Sequence, residues 1–189
     1  MSAPADPAQQ RRAILRGTAT ALRERGTGAG MADIARAAGV GRATLYRHFA
    51  TREALLRELS QFSADECVRA VQDAVREGGE LRATVLRATR ALLAVGREYW
   101  TLVSTGPAEG PSDRELAVSG PLVELAERGR REGVFRRDLT ATRLGTMHGV
   151  LIQGALLYPQ LIGASLDEAA EGVTRLYLDG ATAVCADQG

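Results

Sequence analysis

Apolar residues recur along this chain at helical spacing, in segments punctuated by glycine and proline. Asp6-Pro7 supplies an N-cap followed by proline at the first helical position. A first helix is predicted from about Pro7 to Arg25, with Ile14, Thr18, Ala21 and Leu22 on its buried face and Gly26 ending it. After the linker Gly26-Thr27-Gly28-Ala29-Gly30, a short helix over Met31 to Ala38 carries Ile34, Ala35 and Ala38 as a narrow apolar stripe whose alanines permit close approach. Gly39 stands where a left-handed C-cap is wanted, and Gly39-Val40-Gly41 forms a tight turn. A second short helix starts at Arg42. Val40, Leu45 and Phe49 can pack back on its predecessor, leaving the polar residues between them facing outward.

Thr51 is a natural cap for a long helix reaching to Glu77, with Leu55, Leu59 and Phe62 in period and Gly78-Gly79 as its stop. From Glu80 to Thr105 a broad apolar face includes Val85, Leu92, Leu93, Tyr99 and Trp100, with a kink expected at Gly96. Gly106 to Pro111 is a breaker cluster, Pro121 to Glu132 a helix, Gly133 to Leu139 a turn, and Asp138 or Thr140 the cap of the next helix. Thr140 to Tyr158 is nearly uncharged after Arg143, and Leu166 to Val184 repeats apolar residues at helical spacing. Two such helices packed against their copies would form a four-helix dimer interface. Gly145, Gly149, Ile152, Leu156, Val173, Leu176, Tyr177 and Gly180 are its candidate residues; burial of the same surface inside one subunit is the alternative. The fold expected is all-α, with a head over 1–50 and a helical body over 51–189.

Charge changes the picture. The chain carries a net +1, but residues 1–57 hold ten Arg against four acids, a net +6, while residues 58–189 hold fourteen Arg against nineteen acids, a net −5. A basic head on a mildly acidic body is the distribution of a nucleic-acid binder. Every basic residue is Arg and none is Lys. That composition, with abundant Ala and Gly, suggests a GC-rich genome, and it equips the head for bidentate contacts to phosphate or guanine. Cys67 and Cys185 match no metal or redox spacing and fit free thiols in a reducing cytoplasm. The N-terminus lacks an apolar signal region, which argues against secretion. The weakly charged run from Leu144 to Leu161 is too short, and too rich in glycine, to span a membrane.

The turn between two short helices, with Arg42, Thr44, Tyr46, Arg47 and His48 outward on the second, reads as a helix-turn-helix that places a helix in DNA. Arg42, Thr44, Arg47 and His48 are candidates for phosphates or base edges, and the Tyr46 hydroxyl for a phosphate. The lead-in Ala19-x-x-Leu22-x-x-Arg25-Gly26, the run Asp33-Ile34-Ala35-x-x-Ala38-Gly39-Val40 and the run Thr44-Leu45-Tyr46-Arg47-His48-Phe49 occur in this order. Over Ile14 to Leu56 the chain resembles the N-terminal domain of the tetracycline-repressor (TetR) family of bacterial transcription regulators. The resemblance implies backbone contacts from Thr44, Tyr46 and His48, and variable base-reading positions at Arg42, Ala43 and Arg47. It also implies a flanking phosphate held by Arg52, where the family usually has Lys. The chain departs from the family pattern at Gly30, where a Thr or Ser cap is usual, at Gly41 in place of Ser or Thr, and at Ala43 in place of Gly.

No GxSxG, HExxH, CxxC or P-loop motif occurs, and His48 and His148 are a hundred residues apart, so neither catalysis nor a metal or cofactor is expected. Tyr99, Trp100, Met147, His148, Gln153 and Tyr158 are polar, soft or aromatic groups in apolar helices and are candidates for an effector pocket, though each could equally be core filling; for His148 a satisfied buried histidine is the plainer reading. The function expected is a cytoplasmic homodimeric DNA-binding regulator: a repressor released from a palindromic operator by a small apolar or aromatic effector. The alternatives are a regulator without an effector and a non-specific architectural DNA binder.

Overall fold

The structure is a computed structural model that describes residues 6–99, 113–162 and 165–182. Asp6 accepts the Ala8 N–H at 3.1 Å and Pro7 occupies the first turn, so α1 (Pro7–Arg25) starts where the sequence places it. A single 3₁₀ turn over Gly26–Gly28 leads to α2 (Met31–Ala37), and Gly39, with φ of 64°, makes the left-handed turn into α3 (Arg42–His48). The Thr51 hydroxyl accepts the Ala54 N–H at the start of α4 (Arg52–Arg76). Gly78 and Gly79, both at positive φ, separate α4 from α5 (Leu81–Glu98). Then follow α6 (Asp113–Arg131), α7 (Ala141–Leu157), the single turn α8 (Pro159–Ile162) and α9 (Leu166–Ala181). Thr140, the second of the two expected caps, accepts the Arg143 N–H, while Asp138 pairs with Arg136. Among the described residues no strand forms; Phe135 and Thr182 share one isolated antiparallel bridge.

Three expectations change. Helix α6 begins at Asp113, so Pro121 lies inside it. A proline in a helix interior costs about 3 kcal/mol, which burial of Pro121 and Leu122 helps to offset. Gly96 does not interrupt α5: it is the notch that Leu156 fills, and a Cβ there would run into the leucine side chain. Val134, Phe135 and Arg136 form more than a loop, because Phe135 seats over Gly129 and Arg136 donates its N–H to the Ala181 carbonyl at 2.8 Å. The continuation expected for α5 beyond Tyr99, and that of the last helix beyond Thr182, lie outside the described residues.

The chain divides into two compact units. The sequence suggests a boundary after residue 50; the units part inside α4, between Ser63 and Ala64. The first twelve residues of that helix bring Leu55, Leu59 and Phe62 into the core of the first unit, with Ile14, Leu15, Leu22, Ile34, Leu45 and Phe49. Tyr99, also of this unit, meets Phe62 edge to face at 6.2 Å. The tightest approach is between α1 and the end of α2, where a Cβ on Gly17 would overlap the backbone of Ala38.

The second unit is built on α6 against α7 and α7 against α9. Its core holds one aromatic stack: His148 lies parallel to Tyr177 at 4.2 Å, and Tyr177 meets Phe135 edge to face. His148 Nε2 is 2.8 Å from Thr89 Oγ1, whose own hydroxyl donates to the Val85 carbonyl. The threonine proton is therefore committed, and the imidazole is the donor in the Thr89–His148 bond. Burial holds the imidazole neutral and pushes its pKa down to about 4.

Two outcomes follow from these packings. Gly17→Ala gains up to about 1 kcal/mol of helix propensity but overpacks the α1–α2 contact at a cost of about 1–3 kcal/mol or more, so urea denaturation shows a net loss of stability. For His148 the folded state takes up its proton near pH 4 while the unfolded chain does so near 6.5. The unfolded state then binds more protons between those values, and stability present at pH 7.5 is lost as the pH falls through that window. The loss is roughly 2–3 kcal/mol by pH 4.5, and comparing urea midpoints at the two pH values shows it halved or better in His148→Gln.

Candidate nucleic-acid interface

A helix of seven residues has too few internal hydrogen bonds to persist alone, so α3 takes its position from its surroundings. Leu45 and Phe49 are fully buried and fix the inner side. The outer side is what remains. Arg42, Ala43, Tyr46 and Arg47 are exposed, Tyr46 to 52%, and Thr44 and His48 are half-buried. Arg42 and Arg47 have no ion-pair or hydrogen-bond partner among the described residues. Their charge is thus available without breaking an internal contact.

The C-terminal end of α3 is held by α1 and α4 through Arg11. Its guanidinium forks onto both carboxylate oxygens of Glu58, donates to the His48 carbonyl at 3.3 Å and lies 4.4 Å over the Phe49 ring. The Glu58 contact raises the Arg11 pKa above its already high value, so this cation is permanent. One residue earlier, Gln10 Oε1 sits 3.0 Å from His48 Nε2. His48, expected at the DNA backbone, is therefore already bonded to α1 through that nitrogen. Gln10, Arg11 and Glu58 carry no signal in the sequence, since they lie 37 to 47 residues from their partners and no local pattern links them.

At the other end of the motif, Gly30 lacks a capping hydroxyl, while the Asp33 carboxylate accepts the Gly30 N–H at 3.2 Å. That N–H, followed by Arg25 and Arg36, holds the Asp33 carboxyl below the ordinary carboxylate range. Arg52 does not project freely from α4 but reaches back to the carbonyls of Thr27 and Ala29.

Of the six candidate pocket residues, five are described. Trp100 lies outside the described residues. Tyr99 is buried in the first unit and His148 in the stack of the second, whereas Met147, Gln153 and Tyr158 are exposed on or just after α7. Met147 lines an open depression of about 420 Å³ with Leu139, Thr142, Arg143 and Thr146. Among the described residues no cluster of three or more His, Cys, Asp or Glu is placed to hold a metal, and no helix is long and apolar enough to cross a membrane.

The eight candidate interface residues separate by face. Gly145 lies against the Val123 backbone, where a Cβ would come within 2.7 Å of its nitrogen, and Gly149 faces Leu122. Leu156 fills the Gly96 notch, and Ile152, Val173 and Tyr177 are buried. These six serve the chain's own core, because α6 and α5 occupy the side of α7 that the glycines leave open. Leu176 and Gly180 face outward. On and just after α7, Met147, Val150, Leu157 and Tyr158 are left uncovered, as is Leu176 on α9, each between 44% and 62% exposed; Val150 and Leu157 carried no signal in the sequence because α7 is apolar on nearly every side.

Residues 14–59, which include α2, α3 and the start of α4, match the model of the bacterial regulatory proteins, tetR family. No curated protein sequence matches the chain significantly. Solved structures that share its fold include three regulators. PfmR, a TetR family transcriptional regulator from Thermus thermophilus, is 23% identical with a TM-score of 0.66, covering 88% of this chain and 97% of its own. LfrR from Mycobacterium smegmatis, a TetR-like regulator solved with proflavine, is 23% identical with a TM-score of 0.68, covering 93% and 98%. The ketosteroid transcriptional regulator KstR2 of Mycobacterium tuberculosis is 21% identical with a TM-score of 0.64, covering 93% and 96%. Over residues 14–59, which hold the helix-turn-helix, the chain is similar to the tetR family of bacterial regulatory proteins, and along nearly its whole length it shares the fold of PfmR.

Proposed function

We propose that this regulator binds a palindromic operator as a homodimer, represses from it, and is released by a small apolar or aromatic molecule. The observation that carries the DNA part is the exposed face of α3, where Arg42, Tyr46 and Arg47 stand uncommitted within residues 1–57, a segment of net charge +6. Arginine forks at these positions can take a guanine edge or a phosphate, and the backbone around them fixes register. Thr44 lies beside them, half-buried, with a hydroxyl suited to a phosphate oxygen.

A single seven-residue helix reads few bases, so a second head one helical turn of DNA away, about 34–36 Å, supplies the remaining specificity. The support for a second copy is the uncovered stripe of Met147, Val150, Gly154 and Leu157 along α7, at spacings of three and four, and Leu176 with Gly180 on α9. Exposed apolar surface of this extent favours a partner, and small residues within it permit close helix approach. Support for an effector is weaker and comes from related structures: LfrR was solved with proflavine, and KstR2 is named for ketosteroids. An aromatic ligand suits the near absence of charge along α7.

Genomic footprinting tests the whole reading, with a two-fold symmetric protected site as the expected result and protection without sequence preference as the result against it. On that site Arg47→Ala costs about 1–3 kcal/mol and relaxes preference at one base pair if it reads a base, or weakens all sequences and lowers the salt slope by about one if it holds a phosphate. Val150→Glu or Leu176→Glu, which alter exposed positions and spare the core, convert the dimer to monomer in analytical ultracentrifugation and abolish tight operator binding.

A further inference from the structure

The loop from Gly26 to Gly30 has three glycines among five residues, and within it the backbone makes one bond of its own, from the Ala29 N–H to the Gly26 carbonyl at 3.2 Å. Such a segment has more conformational freedom to lose than most. Yet Ala29 is 1% exposed, so its carbonyl needs a partner inside the protein. Arg52 provides it. Nε donates to the Ala29 carbonyl at 3.1 Å and Nη2 to the Thr27 carbonyl at 2.7 Å, so one edge of the guanidinium spans the loop just before α2. The cap at that helix start is lean, since Gly30 offers no side-chain oxygen.

Resting on the DNA-binding reading above, we infer that Arg52 is a positioning residue: it clamps the glycine-rich loop in place of the missing hydroxyl cap and so fixes α2, on which the recognition helix packs, rather than holding a phosphate. The requirement is for a planar fork. Nε and Nη2 lie on one edge and reach two carbonyls at once, which a single ammonium on a flexible stem does not reproduce. A phosphate contact, by contrast, would be served by either cation.

The test uses the full-length protein with Arg52→Lys, Arg52→Gln, and Arg52→Gln combined with Gly30→Thr. Threonine is compatible with the Gly30 backbone, at φ −91° and ψ 170°, and the nearest atom to an added Cβ is 3.9 Å away. Both single variants are expected to lower the Tm by about 3–6 °C. They are also expected to weaken binding to the footprinted site about tenfold while leaving the slope of log affinity against log salt unchanged. The double variant should recover at least half of both losses. Wild-type melting in either single variant, a salt slope reduced by about 0.9, or a double variant no better than Arg52→Gln would each overturn the assignment. Melting is read without DNA, so a wild-type chain with no operator preference defeats the proposed function while the clamp is still judged on Tm.

Discussion

The recognition helix is too short to be stable alone, and the head is arranged around that constraint. Burial of Leu45 and Phe49 supplies most of the energy, at about 1.5–3 kcal/mol for each side chain. Arg11 contributes differently. Its pairing with Glu58 is only partly buried, and ion pairs of that kind are worth little in water, about 0–1 kcal/mol. What it provides is direction: one guanidinium simultaneously meets the carbonyl end of α3, the ring of Phe49 and the carboxylate of α4. Apolar burial keeps the helix in place, and the arginine ties its C-terminal end to α1 and α4.

This division of labour sorts the arginines of the head. Arg11, Arg25, Arg36 and Arg52 are bonded to acids or carbonyls within the unit. Arg42 and Arg47 are not. A count of positive charge therefore overstates what the head can spend on DNA, because a bonded arginine must give up an internal partner before it can neutralise a phosphate. The free pair on α3 has no such cost. Affinity and its salt dependence should rest on those uncommitted side chains, while the bonded ones act through the shape they impose.

Sequence made the elements legible because their punctuation is local. Asp6-Pro7, Gly26, Gly39, Thr51 and Gly78-Gly79 each act within a few residues, and each stands where the corresponding helix starts or stops. The helix-turn-helix was legible for the same reason. What could not be read were contacts between elements. Nothing near Arg52 announces that it will turn back to Thr27 and Ala29, and nothing near Arg11 names Glu58 as its partner. Gly96 looks like a weak point in a helix and is a socket for a leucine sixty residues away. Pro121 looks like a helix start because the bias of proline is local, whereas the packing that tolerates it is not.

The faces of α7 show the same limit in its sharpest form. The helix is apolar almost all round and carries glycines at positions 145, 149 and 154, so periodicity offers no way to tell an inner from an outer side. Packing against Leu122, Val123 and Leu156's own socket at Gly96 assigns Gly145, Gly149 and Leu156 inward, and by exclusion Met147, Val150 and Leu157 outward. The assignment matters because His148 stands between two of the outward residues in sequence and on the opposite side in space, stacked on Tyr177. A rigid helix cannot move one face without the other. Any rearrangement of the stack that displaces α7 must therefore displace Met147 and Val150 with it, and the uncharged, close-packed core around His148 is mechanically continuous with the one apolar surface that the chain leaves uncovered on this helix.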